Sequence, residues 1–111
     1  MEKIEKYRNL VQQILLEYSH NQPAYGEIEV ETIFDTVRDH YQIVYLGWKQ
    51  ERWIHSCAIH IDIKGEKVWI QWNGTELDIA AELVINGVAK EDIVLGFQTP
   101  FMRKFTEYAV D

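Results

Sequence analysis

The side chains best placed to do chemistry in this sequence are His60 and Asp62, two residues apart in a run that alternates like a β-strand. That spacing sets both on one strand face, where an imidazole and a carboxylate can share a proton or begin a metal site. His40 and His55 stand in the strands around them. A metal centre needs three or four converging ligands with outer-shell support, and simple alternation puts His55 on the face opposite His60. The reading adopted is a surface His–Asp pair, with no catalytic residue, cofactor or metal assigned. No nucleophile motif, phosphate-cradling glycine loop or recognisable carboxylate pair is present. The lone Cys57 cannot form an internal disulfide and reads as a small strand side chain. Asn73-Gly74-Thr75 opens a helix, but Glu76 and Asp78 beside it would repel an anion, so capping is its expected job.

Residues suited to meeting a partner are easier to name. Arg38-Asp39-His40 occupies a hairpin that less specific residues would serve as well, and all three are candidate contacts. The structural alternative has Asp39 bonding turn amides and Arg38 pairing with Asp35. Among the tryptophans, Trp72 shares a face with Val68 and Ile70 and is expected in the core. Trp53 and Trp69 fall on the faces of His55 and Gln71 and are expected at an interface. Near the C-terminus Phe101, Phe105 and Tyr108 surround Arg103-Lys104. Arg103 and Tyr108 complete the candidate set, either wrapping back on the sheet or facing a partner.

The elements that must position these groups are legible from periodicity. Ile4, Tyr7, Leu10 or Val11, Ile14, Leu15 and Tyr18 form the apolar stripe of a helix from Glu2 to about Tyr18. Ser19 to Gly26 reads as a linker. Ile28, Val30, Thr32 and Phe34 then alternate with Glu27, Glu29, Glu31 and Ile33, a strand with an acidic outer face. A turn over Thr36 to Asp39, a strand from His40 to Trp48, a turn at Lys49-Gln50-Glu51 and a strand from Arg52 to Ile63 follow. In that last strand Cys57, Ile59, Ile61 and Ile63 are expected on one face, Ser56, Ala58, His60 and Asp62 on the other. Lys64-Gly65-Glu66 turns into a fourth strand ending at Asn73, and Thr75 is the expected N-cap of a second helix. Asn86-Gly87 suits its end. Ala89 to Asp92 suggests one helical turn, Ile93-Val94-Leu95 a short strand or a packed extended segment, and Thr99-Pro100-Phe101 a last helical turn. The fold class is α+β: a helix, a four-stranded antiparallel meander, a second helix and a short C-terminal wrap, with both helices on one sheet face.

At 111 residues the chain is expected to be one domain, residues 1–111, with 47% hydrophobic and 13% aromatic residues to fill its core. Eleven basic residues against eighteen acidic ones give a net charge of −7. Nucleic-acid affinity rests on neutralising phosphates, so direct DNA binding is not expected and a basic protein partner is. The charged start Met1-Glu2-Lys3 reads as a helix rather than a signal peptide, and no run is long enough to span a membrane; a cytoplasmic location is expected.

The stretch from Val68-Trp69-Ile70-Gln71-Trp72-Asn73-Gly74-Thr75 to Leu83, with Asp92-Ile93-Val94-Leu95-Gly96-Phe97 and the ending Tyr108-Ala109-Val110, resembles the XisI family of fdxN element excision controlling factors of cyanobacteria. Asp35, Arg38-Asp39-His40-Tyr41, Gly47-Trp48 and His60-Ile61-Asp62-Ile63 follow the same family's pattern in the same order. Glu107 departs from it, standing where a glycine tends to precede the final tyrosine. The resemblance implies a non-catalytic regulator that works beside a partner, XisH, and a site-specific recombinase. A second reading is an antitoxin-like or immunity-like protein that caps a nuclease-like XisH. Exposed strand edges and tryptophans also leave a homodimer open.

Overall fold

The computed structural model describes residues 2–21 and 27–111. Its first element, α1 (Glu2–His20), presents Tyr7, Val11, Ile14 and Leu15 at helical spacing, and all four are buried. The helix consumes the start of the expected linker, whose residues 22–26 lie outside the described residues. Strands β1 (Glu27–Asp35), β2 (His40–Lys49), β3 (Arg52–Lys64) and β4 (Lys67–Asn73) form the expected antiparallel meander. Its last hairpin turns on Gly65 and Glu66, at φ of 60° and 62°, the left-handed pair that a two-residue connection with the sheet's own twist requires. A fifth strand, β5 (Ile93–Leu95), pairs parallel with β4, so the sheet has five strands in the order β1-β2-β3-β4-β5. The C-terminal segment then covers the outer side of β5 through a bridge from Ala109 to Val94, its amide donating to the Ile93 carbonyl at 2.8 Å.

Two one-residue insertions decide which side chains face which way. Ile43 pairs with Ile59 while the next residue of β2, Val44, pairs with Cys57, leaving Ala58 as an extra residue on β3. His60 pairs with Trp72 while Ile61 pairs with Ile70, leaving Gln71 extra on β4. Each bulge flips the alternation beyond it. Ala58 and Ile59 are therefore both buried, and the expected split of β3 into a Cys57-Ile59 face and a Ser56-Ala58 face fails at this point. Cys57 pairs with Val44 on the outer face, and Ser56 pairs with Tyr45 on the side of α1, where the Tyr45 and Tyr18 hydroxyls meet at 2.5 Å.

The inner face carries the core: Tyr41, Ile43, Ile59, Ile61, Val68 and Ile70 from the sheet, closed by α1 and by Ile79, Ala80 and Leu83 of α2 (Ile79–Ile85). Each buried Val, Ile or Leu among them contributes about 1.5–3 kcal/mol on leaving water. Both helices pack on this one face, as expected. The start of α2 differs: Asp78 is the N-cap, accepting the Ala81 amide at 3.1 Å, three residues beyond the expected Thr75. Thr75 instead accepts the Leu77 amide, and Asn73 accepts both the amide and the hydroxyl of Thr75, so the Asn73-Gly74-Thr75 turn is tied locally before the helix begins. Asn86 ends α2 and Gly87 follows at φ 107°. A 3₁₀ turn at Lys90–Asp92 precedes β5, and α3 (Pro100–Arg103) starts with Pro100 behind the Thr99 cap. No helix among the described residues is long and apolar enough to cross a membrane.

Candidate functional site

With α1 and α2 on the inner face, the outer face of the sheet carries the polar and aromatic groups not spent on the core. Cross-strand pairing places His40 beside Asp62 and Asp62 beside Trp69 in one row, and Gln42, His60 and Trp72 in the next. The imidazoles converge on one carboxylate oxygen: His40 Nδ1 and His60 Nε2 each lie 2.8 Å from Asp62 Oδ1. Gln71 Nε2 donates to the other oxygen, Oδ2, at 3.2 Å. Burial alone would raise the Asp62 carboxyl, but the hydrogen bonds from His40, His60 and Gln71 outweigh it and hold the group below the usual carboxylate range. An ionised carboxylate only accepts, so both ring nitrogens facing it carry hydrogen. The expected surface His–Asp pair is thus a three-residue cluster with an orienting amide.

Two residues of the outer face, Trp72 and His55, lie where strand alternation did not put them, for one reason. Gln71 stays on the outer face expected of it, beside Asp62, while the bulge there sends Trp72, expected in the core, to the same face, where it is 52% exposed. The bulge at Ala58 likewise brings His55 to the same outer face as His60, in place of the expected opposite one. His55 pairs with Leu46, two rows away from the His60–Gln42 pair, and stays outside the cluster. Only the pairing register between strands carries this signal.

The partner candidates separate by what they touch. Arg38 is exposed in the β1–β2 turn, ion-paired with Asp35 at 3.2 Å, and Asp35 rather than Asp39 caps the turn amides of Val37 and Arg38. His40 is half-exposed at the cluster's rim. Trp53 stacks edge-on against Trp48, ring centroids 5.3 Å apart, with both rings half in solvent. Trp69 is partly buried, with Lys64 Nζ 4.2 Å and Arg103 Cζ 5.3 Å from its ring centre. The other three are occupied within the fold. Asp39, at φ 61°, accepts Arg8 Nε at 2.8 Å, Arg8 Nη2 at 3.1 Å and the Tyr41 hydroxyl at 2.8 Å, and the Arg8 bonds hold its carboxyl below the usual range. Arg103 donates to the carbonyls of Leu95, Gly96 and Val110, pinning the C-terminal segment. Tyr108 packs against the core. Gly96, in the same corner, donates its amide to Ile70 at 2.8 Å.

A family model described as XisI protein matches residues 1–110. The chain belongs to the XisI family. Its α+β fold is that of solved XisI-like structures. A XisI-like protein from Anabaena variabilis ATCC 29413 is 44% identical, with 97% of this chain and 99% of that one aligned at a TM-score of 0.92. The fdxN element excision controlling factor XisI from the same organism is 29% identical, over 98% of this chain and 99% of that one, at a TM-score of 0.87. No curated protein matches the chain. The family resemblance drawn from the short motifs therefore holds over almost the full length of the XisI-type fold.

Proposed function

We propose that this chain is a non-catalytic regulator that controls excision of a DNA element, acting in the cytoplasm through contacts with an XisH-like protein and a site-specific recombinase. The observation that carries the reading is the full-length similarity to the fdxN element excision controlling factor XisI. The net charge of −7 supports control through proteins rather than through DNA contacts of its own. The contact surface on this reading is the outer sheet face and the adjoining hairpin, with Arg38, His40 and the Trp48–Trp53 pair as its exposed groups. Asp39, Trp69, Arg103 and Tyr108 would act on it by holding its edges in place. A second reading, capping of a nuclease-like XisH, draws support from the acidic stripe of Glu27, Glu29 and Glu31, exposed on β1 and complementary in charge to a nucleic-acid-binding surface.

Co-expression with the XisH encoded nearest to this chain, followed by size-exclusion chromatography and a DNA-cleavage assay on each peak, tests both. A stable complex with unchanged or newly site-selective action on DNA supports the controlling role. A complex that cuts DNA less than XisH alone supports capping. Absence of any complex removes the XisH assignment.

A further inference from the structure

We propose that His40, His60 and Asp62 form a binding site for one divalent first-row transition ion of the Zn2+ and Co2+ kind, on the outer face of the sheet. The ligand atoms His40 Nδ1, His60 Nε2 and Asp62 Oδ1 all lie within 4.8 Å of one another. An ion with bonds of about 2.0–2.2 Å to nitrogen and carboxylate oxygen separates tetrahedral donors by about 3.3 Å. The two 2.8 Å contacts open by about half an ångström to admit it, and the two ring nitrogens, within 4.8 Å of each other, settle at a similar separation. On binding, each ring hydrogen that now faces the carboxylate moves to the other nitrogen of its imidazole, which leaves His40 Nδ1 and His60 Nε2 as lone-pair donors to the ion.

The framework around the three ligands is that of a built site. His40 and Asp62 are direct cross-strand partners on β2 and β3, and His60 stands two residues before Asp62 on the same face. Backbone pairing, rather than a loop, therefore fixes all three origins. Gln71, the extra residue of its bulge, holds the free carboxylate oxygen from a third strand, the outer-shell arrangement that orients a metal-bound carboxylate. Asp62 is largely shielded while His40 is half-exposed and His60 partly exposed, so a fourth coordination position faces outward on the His40 side and water fills it in the isolated chain. Two imidazoles and one carboxylate favour Zn2+, Co2+ or Ni2+ over Mg2+ and Ca2+, which prefer all-oxygen shells.

The test uses the full-length chain, free of any histidine tag and stripped with chelator, titrated with Co2+ in an absorption spectrometer and with Zn2+ by calorimetry. The expected result is one ion per chain with micromolar or tighter affinity, visible Co2+ d–d bands, and a raised melting temperature that Mg2+ and Ca2+ do not reproduce. His60→Ala and Asp62→Ala abolish the Co2+ bands. His40→Ala, at the most exposed ligand, does the same in a variant whose fold is least disturbed. Gln71→Ala weakens binding about 10–100-fold without removing it. His55→Ala, on the same face but outside the cluster, binds as the parent does. Binding that survives in His40→Ala and His60→Ala at parental strength overturns the proposal, as does the absence of a one-to-one complex or an equal response to Mg2+. In those cases the cluster is a hydrogen-bonded His–Asp–His arrangement and nothing more.

Discussion

Removing the Tyr41 hydroxyl should reveal how the first hairpin is fastened to the rest of the molecule. Tyr41 is fully buried, and its hydroxyl donates to Asp39 at 2.8 Å, while Arg8 of α1 grips the same carboxylate through two further bonds. A hydrogen bond to a charged group contributes about 1.5–3 kcal/mol, and a buried hydroxyl left without a partner costs about 1–3 kcal/mol. Tyr41→Phe alone should therefore lower stability by about 1.5–3 kcal/mol. For a chain of 111 residues each kcal/mol corresponds to about 4 °C in melting temperature. Asp39→Gly removes the carboxylate while keeping a residue that accepts φ 61°, so backbone strain does not enter. In that background the Tyr41 hydroxyl has lost its acceptor, and Tyr41→Phe should be neutral or stabilising. The coupling in the double-mutant cycle, read from urea unfolding at constant m, should be at least the single-mutant cost of about 1.5–3 kcal/mol. If Tyr41→Phe costs the same with and without Asp39, the hydroxyl is not fastened where the geometry puts it, and the reasoning fails.

Gly47 sits at φ 144° with a Cβ position 2.0 Å from the Glu27 carbonyl oxygen, so Gly47→Ala should cost about 2–4 kcal/mol by thermal unfolding and loosen β1 from β2. Asp78→Ala should cost about 1 kcal/mol in urea unfolding through loss of the α2 cap, with Thr75→Val costing less because its bonds are local to the turn. Acid should weaken the fold through Asp39 and Asp92. The Asp39 carboxyl is depressed by Arg8; that of Asp92 is depressed, against burial, by Tyr7 and Lys3. A depressed carboxyl contributes stability above its unfolded pKa of about 3.9 and loses it as pH falls through the lower folded value. Unfolding midpoints should hold from pH 7 to about 5 and drop below about 4, less steeply in Asp92→Asn. Burial pushes the Cys57 thiol up, so its reaction with a thiol reagent at neutral pH should be slower than that of an unfolded control.

Much of the architecture follows from local pattern. The α1 stripe, the acidic face of β1 and the three hairpin turns are set by neighbours a few residues apart, and they stand in the structure as the periodicity predicts. The departures share a cause at Ala58 and Gln71. A bulge inserts one residue without a composition signal of its own, since Ala58 and Trp72 fit either face of a strand, yet it inverts every assignment beyond it. Trp72 and His55 were lost to that inversion. Convergence of His40, His60 and Asp62 depends on the β2–β3 register, which no single strand encodes. Thr75 and Asp78 both carry cap chemistry, and packing of Ile79 and Ala80 against the core selects the later one.

The two margins of the sheet are unlike. Ala109 already occupies the far side of β5, whereas among the described residues β1 pairs only with β2 and displays Glu27, Glu29 and Glu31. An antiparallel strand laid along β1 by a second copy would bring glutamate rows together, while a strand bearing alternate lysines or arginines would meet opposite charge at every second residue. Growth from such a pairing would meet, at the opposite margin, Ala109 bridged to Val94. Among the described residues β1, rather than β5, is the margin whose backbone has room for an added strand.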